Sequence, residues 1–549
     1  MPEPTPGPTE NGRHGRALSL RRDGAVGAFI LVVAGANLYY FYTRGLTNLY
    51  GDSIAHMEGA RRIFDSLTPG YDEIGSVWLP LYHLLVAPLA INDSLWRTGL
   101  AGSLVSTAAF AGAAWFLYRL AAEISGNTAA GILTLGAFLL CPNMLYLATT
   151  PLTEPLALFW AVLVAYALFR YSQTGRRAAL MGAAAAAFLG TLTRYDEWYV
   201  LPFAALFVLL AEPGGRPRIA PDGQGGQEAA GWRGPWGRRI RHAALFSLIA
   251  GAGPALWVLH NAYRFGNPLE FYNGPFSAQA IYAHQLATTA FPYPTDGSLL
   301  RSARYYLEDL KLVIGPWALE LAVLGLIAWA ANYRAWRRSA VGLLFLVPLP
   351  FYIHALAYAA IPLYVPTLFP WTYYNLRYGL EMMPAVALLP SLTLSAPLPR
   401  RVQYGLLVLF LAVLAGQAYT KASAGVKELP VLKEGSLNSP CRSSRQQAII
   451  RVLRAQYDGE RVLIAAGRWP CVMPEVGIYY RQTLTEASRE YWAKLRTEPE
   501  KLVGWIVRGD GDAVDELMRA HPQAFTDFEL VEKDVFAGEG GVAIYRRRR

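Results

Sequence analysis

The chain has 549 residues, of which 53% are apolar and only 16% charged, against about 25% charged in ordinary soluble domains. Apolar runs of roughly 18 residues recur through the first 420 positions, which excludes a soluble protein and indicates a polytopic membrane protein. The net charge of +10 suits an anionic lipid surface and comes with no nucleic-acid motif, and the spacing of Cys141, Cys441 and Cys471 excludes a disulfide scaffold or zinc cluster.

Residues 1–22 are rich in Pro, Gly and Arg and precede a long apolar segment that has no small-residue cleavage site. They read as a disordered cytoplasmic arm rather than a signal peptide. Eleven spans are expected, at 24–43, 96–118, 128–147, 152–171, 177–193, 198–211, 243–263, 312–331, 340–361, 378–396 and 402–419. Segment 78–91, about 14 residues with two prolines, is expected to dip into the membrane and return. This assignment gathers on one face the arm (Arg13, Arg16, Arg21, Arg22), Arg119, the Arg170/Arg176/Arg177 turn, the loop from Arg216 to Arg241, the Arg334/Arg337/Arg338 turn and Arg400/Arg401. By the positive-inside rule that face is cytoplasmic. Charge density then rises, with about 39 charged residues after position 420 against about 51 before it. Beyond that point, β-type runs at 461–466, 503–508, 528–533 and 542–545 alternate with helical stretches at 443–457 and 513–520. The expected fold is therefore an α-helical polytopic membrane protein of about eleven spans plus interfacial helices (23–420), with a small extracytoplasmic α/β domain (421–549). Within that domain Cys441 and Cys471 are the cysteines able to pair.

The face opposite the arginine clusters collects Asp52, Glu154, Asp196 and Glu197, together with Arg194, Arg377, His56, His83 and His284. Each acid has an ordinary explanation. Asp52 could cap the helix in which Ile54, Met57, Ala60, Phe64 and Leu67 recur, and Glu154 and the 196–197 pair could complement helix dipoles or Arg194. Carboxylates at membrane ends are costly unless solvated or paired, so three such segments on one face point to a shared polar cavity. Interfacial Arg, Tyr and Trp commonly anchor to headgroups. Arg377 stands apart because it opens an apolar helix close to Glu381.

In order and sidedness, four motifs resemble those of the C-type (GT-C) membrane glycosyltransferases, particularly the polyprenyl-phosphate-sugar-dependent families that include protein O-mannosyltransferases and aminoarabinose transferase. They are Gly51-Asp52-Ser53, Trp78-Leu79-Pro80-Leu81, Thr153-Glu154-Pro155 and Arg194-Tyr195-Asp196-Glu197-Trp198, with Arg377-Tyr378 a fifth. The resemblance implies that Asp52 is the first-loop catalytic aspartate and that Glu154 with Asp196/Glu197 forms a second acidic group. Many relatives carry Lys-Pro-Pro where this chain has Val77-Trp78-Leu79-Pro80, so a basic phosphate contact is missing there. The Trp-Trp-Asp-Tyr-Gly signature of oligosaccharyltransferase is also missing.

The expected activity is inverting transfer of a sugar from a polyprenyl-phosphate donor to a hydroxyl of a glycan, lipid or protein acceptor at the outer membrane face. Asp52 would be the general base, Arg377 and Arg194 would bind the donor phosphate, and His56, His83, Tyr195, His284 and Tyr378 are candidate substrate contacts. No cofactor is required by this chemistry, although a divalent cation held by Asp52 with Glu154 or Asp196 is compatible with it. A transporter or flippase of lipid-linked sugar, or a non-catalytic lipid-sugar binder, is the competing class. It would place its ionisable residues at mid-span between paired halves.

Overall fold

The structure is a computed structural model that describes residues 10–211, 235–289, 291–331, 339–395, 398–486, 488–536 and 540–548. The first part of the arm, most of the 216–241 loop and the Arg334/Arg337/Arg338 turn lie outside the described residues. Among those described, six helices are long and apolar enough to cross a membrane: Arg21–Tyr42, Leu100–Ser125, Glu154–Thr174, Trp236–Phe265, Ala340–Tyr358 and Arg400–Ser423. Leu299–Val313 and Pro316–Ala331, bent by 111° at their junction, would make a seventh. The chain is an integral membrane protein.

Several expected spans are interrupted. The 128–147 run breaks into Thr128–Leu139 and Pro142–Leu147, because Pro142 lacks the N–H needed to continue a helix and suits the first position of a new one. The 378–396 run is two 3₁₀ stretches, Leu376–Met382 and Leu389–Ser395, on either side of a short α-helix, Met383–Leu388. Segment 78–91 contains the helix Leu81–Ala90. Its ten residues extend about 15 Å, half the hydrocarbon thickness.

The bundle has two distinct ends. At one, Arg119 pairs with Glu123 at 2.7 Å, Arg170 pairs with the same Glu123 at 2.8 Å, and Arg22 donates to Thr128 Oγ1 at 2.7 Å. Glu154 opens the helix that carries Arg170, and the 16-position separation places the two about 24 Å apart along its axis.

The C-terminal region forms a five-stranded sheet of order β2-β1-β3-β5-β4. Its strands are β1 (Val462–Ile464), β2 (Thr483–Leu484), β3 (Trp505–Gly509), β4 (Phe528–Phe536) and β5 (Gly540–Arg547). β1 runs parallel to β2 and β3, whereas β5 is antiparallel to β3 and β4. All four strands expected from alternation are present, flanked by helices Ser444–Gln456 and Ala513–Ala520. The two-residue β2 is too short to give a period. Cys441 and Cys471 form a disulfide.

The sheet is not a free module. One hydrophobic core joins Ile464, Trp505 and Met473 of the sheet region to Ile54, Met57, Tyr82 and Trp96. The Ile54/Met57/Ala60 stripe is thus buried within protein. Arg61 is buried in this seam, where it bonds Asp65 at 2.9 Å, Asp93 at 2.8 Å and the Ala90 carbonyl at 2.7 Å. Arg481 reaches Asp65 at 3.1 Å and the Tyr479 hydroxyl donates to Asp93 at 2.8 Å, which ties the sheet domain to the same acids.

Candidate active site

The turn that leads into Glu154 is held by polar side chains of the Leu100–Ser125 helix. Ser106 Oγ donates to the Leu152 carbonyl and Thr107 Oγ1 to that of Ala148, both at 3.0 Å. Gly102 permits the approach, since a Cβ there would stand 2.6 Å from Pro151. Glu154 then begins its helix with 2% of its side chain exposed. A carboxylate so deeply buried needs partners, and two arginines supply them. Arg377 Nε lies 2.8 Å and Arg194 Nη1 3.0 Å from the same oxygen, Glu154 Oε1.

Arg377 comes from the 3₁₀ stretch Leu376–Met382, and its second face bonds Asp52 Oδ2. Asp52 lies in the first turn of helix Gly51–Arg62 but makes no capping hydrogen bond, since the N-cap there is Tyr50. With 45% of its side chain exposed, Asp52 forms the accessible rim of a cluster whose floor is Glu154. Arg194 lies between helices Arg177–Thr191 and Asp196–Leu210. It bonds Asp196 at 3.3 Å, Thr153 Oγ1 at 3.0 Å and the Tyr352 hydroxyl at 2.9 Å, and approaches Glu381 at 3.5 Å. Tyr306, Tyr352 and Tyr378 stack in series at 5.3 and 4.9 Å. Both guanidiniums lie near the Tyr378 ring, at 5.4 and 5.9 Å.

Five of the expected residues thus meet in one network: Asp52, Glu154, Asp196, Arg194 and Arg377, with Tyr378 against it. Glu197 is buried beside Gly190, whose added Cβ would stand 3.2 Å from Glu197 Oε2. His56 Nδ1 and His83 Nε2 are 2.9 Å apart, and Trp78 packs on His56 with ring centroids 4.6 Å apart. Both imidazoles are buried or half-buried beside Trp78, at the segment where the Lys-Pro-Pro motif is missing from the sequence. The Tyr195 hydroxyl donates to the Val77 carbonyl and accepts from Trp257 Nε1, which makes it a brace between segments. His284 is exposed on helix Ala278–Thr289, and among the described residues no contact joins it to the cluster.

Three partners were not foreseen: Thr153, Tyr352 and Glu434. Thr153 had a signal, as it precedes Glu154 in the Thr-Glu-Pro motif. Glu434, from helix Pro430–Leu437 in the C-terminal region, reaches within 3.9 Å of Arg377 Nη1. Among the described residues, no group of three or more His, Cys, Asp or Glu side chains is arranged to hold a metal ion. The carboxylate oxygens best placed for a cation, on Asp52, Glu154 and Asp196, face the two guanidiniums.

Residues 93–222 match the family model for dolichyl-phosphate-mannose-protein mannosyltransferase. Over nearly its whole length the chain is similar in fold to ArnT from Cupriavidus metallidurans bound to undecaprenyl phosphate. The TM-score is 0.55 at 13% identity, covering 94% of this chain and 96% of that one. The fold is that of ArnT. The apo state of the same ArnT gives a TM-score of 0.52 at 14% identity over 95% of this chain and 98% of that one. No curated protein matches by sequence. At these identities the likeness rests on architecture, and the acid–arginine network stands on its own geometry.

Proposed function

We propose that this protein transfers a sugar, with inversion, from a polyprenyl-phosphate donor to an acceptor hydroxyl at the outer face of the membrane. The observation that carries the reading is the shared hold of Arg377 and Arg194 on Glu154, with half-exposed Asp52 as the accessible partner of Arg377. A guanidinium presents planar, bidentate donors to phosphate. An incoming phosphate would replace Asp52 on Arg377, while buried Glu154 keeps both arginines in place. Asp52, released at the rim, then takes the acceptor proton as the hydroxyl oxygen attacks the anomeric carbon. The phosphate leaves as a dianion, stabilised by the two fixed cations. Attack from the face opposite the leaving phosphate inverts the anomeric centre. The ArnT likeness, in a structure bound to undecaprenyl phosphate, supports the donor class.

The separated ends of the bundle support an orientation. With the arginine end in the cytoplasm, the acid–arginine network and the sheet domain lie outside. A disulfide in that domain supports this, because such bonds persist in oxidising compartments. The test is to incubate purified protein with a panel of polyprenyl-phosphate sugars and assay transfer and donor hydrolysis. Release of polyprenyl phosphate with an inverted product is expected. Donor binding without turnover on any member would leave a lipid-sugar binder instead. Reporter fusions after residue 420 should report an external tail, and a cytoplasmic signal would overturn the orientation.

A further inference from the structure

Building on the reading of Arg377 as a donor-phosphate ligand, we propose that Glu434 is the positioning residue that sets Arg377 for the donor, so that the C-terminal region completes the site. The first amides of a helical stretch have no acceptor within it. In the stretch carrying Arg377 those amides are taken by a carboxylate from far along the chain. Asn375 N donates to Glu434 Oε1 at 2.7 Å and Leu376 N donates to Oε2 at 2.9 Å. Both oxygens are used, which fixes the plane of the carboxylate as well as its position. Asn375 holds a left-handed conformation, φ 59°, of the kind Asn tolerates better than most residues. This turns the chain so that two successive amides point at one side chain.

The rest of the turn is fastened elsewhere. Asn375 Nδ2 donates to the Pro362 carbonyl at 2.8 Å and the Tyr306 hydroxyl to the Tyr378 carbonyl at 3.1 Å. Glu434 thus supplies the hold directly before Arg377. Its own helix is pinned to the membrane domain. The Tyr50 hydroxyl donates to the Val431 carbonyl at 2.5 Å, and Val431 N donates to Asn143 Oδ1 at 3.2 Å. Gly435 allows the close approach, since a Cβ there would lie 2.8 Å from the Tyr50 ring, and that ring lies 5.3 Å from the Arg377 guanidinium. Glu434 is buried behind Arg377, so it acts through the arginine and touches neither substrate. Misplacement of a binding group by about 1 Å can cost roughly a hundredfold in rate.

The experiment compares Glu434→Gln and Glu434→Asp with the wild type in detergent, by amide hydrogen exchange over residues 375–378 and by separate titration of a polyprenyl-phosphate sugar and the acceptor. Gln offers one acceptor and turns an NH₂ toward the other amide. It should lower protection of Asn375 and Leu376 about tenfold, as loss of one hydrogen bond does. It should raise the donor KM roughly tenfold to a hundredfold while the acceptor KM stays within about twofold. Glu434→Asp, with both acceptors but a shorter reach, should fall between. Unchanged protection in a folded Glu434→Gln overturns the proposal, as does lowered protection with an unchanged donor KM, or equal loss for donor and acceptor. Should the wild type transfer from no donor, the transferase reading fails while the exchange data still decide whether Glu434 holds the turn.

Discussion

Each end of the helical bundle holds two arginines on one glutamate, in opposite surroundings. At one end Arg119 and Arg170 share Glu123, with 42% of the Arg170 side chain and 22% of that of Glu123 exposed. At the other Arg194 and Arg377 share Glu154, which is almost fully buried. A solvated pair is worth at most about 1 kcal/mol. A buried one must overcome a desolvation cost that its Coulomb attraction often fails to offset. Stability explains the first network and gives little reason for the second. An arrangement that keeps two cations dry beside an open rim is suited to receiving an anion.

That contrast can be broken most sharply at Arg377. Replacing it with Ala leaves Glu154 with one partner fewer, and should lower unfolding stability by about 3–5 kcal/mol and donor affinity by roughly a hundredfold. Arg377→Lys should recover only part, because an ammonium lacks the planar fork. Isothermal binding of undecaprenyl phosphate and of acceptor in detergent reads this. Equal loss for both ligands would return Arg377 to a purely structural part.

Asp52→Asn comes next. It keeps shape and removes basicity at the exposed rim, so turnover should fall by about a hundredfold or more with the melting temperature nearly unchanged. Near-normal transfer by the folded variant would move the role of base to Glu154 or Asp196.

A smaller effect concerns pH. Burial raises the Glu434 carboxyl from 4.5 to about 7, against the pull of Arg377 and the two amides it accepts. Asp52, Asp309, Tyr50, Tyr146 and Tyr374 also act in its field. Between those values the folded protein binds more protons than the unfolded chain. This contribution to stability is therefore fully present below about 4.5 and lost as pH rises through about 7. The melting temperature should decline across that window in the wild type, and less in Glu434→Gln. Parallel profiles would show that Glu434 does not titrate there.

The smallest effect belongs to the solvated end. Glu123→Gln should change stability by less than about 1 kcal/mol and leave transfer at the wild-type level. A large loss of activity would erase the distinction between the two ends.

Much of this contrast can be read from residue order. Asp52, Glu154, Arg194, Asp196 and Arg377 stand at the ends of apolar segments, and counting crossings by arginine places them together. The strands around Val462, Trp505, Phe528 and Val542 follow from alternation. Glu434 could not be found that way. In Pro430–Leu437 it looks like any surface acid of a short amphipathic helix, and its partners Asn375 and Leu376 lie 59 and 58 positions away. Only docking of that helix against Tyr50 and Asn143 makes it internal. His284 shows the converse. A loop on the correct face is enough to nominate a residue, while contact with the cluster depends on packing that periodicity does not record.

The seam around Arg61 and the reach of Glu434 bear on how the protein is made. Membrane helices can be inserted one after another as the ribosome delivers them, yet the turn that presents Arg377 waits for an acceptor encoded late in the chain. Until the segment around residue 434 has been synthesised and brought to its place, the amides of Asn375 and Leu376 have no carboxylate to receive them. A product released early would then lack the carboxylate that accepts those two amides, so completion of this turn reports that translation has run past residue 434.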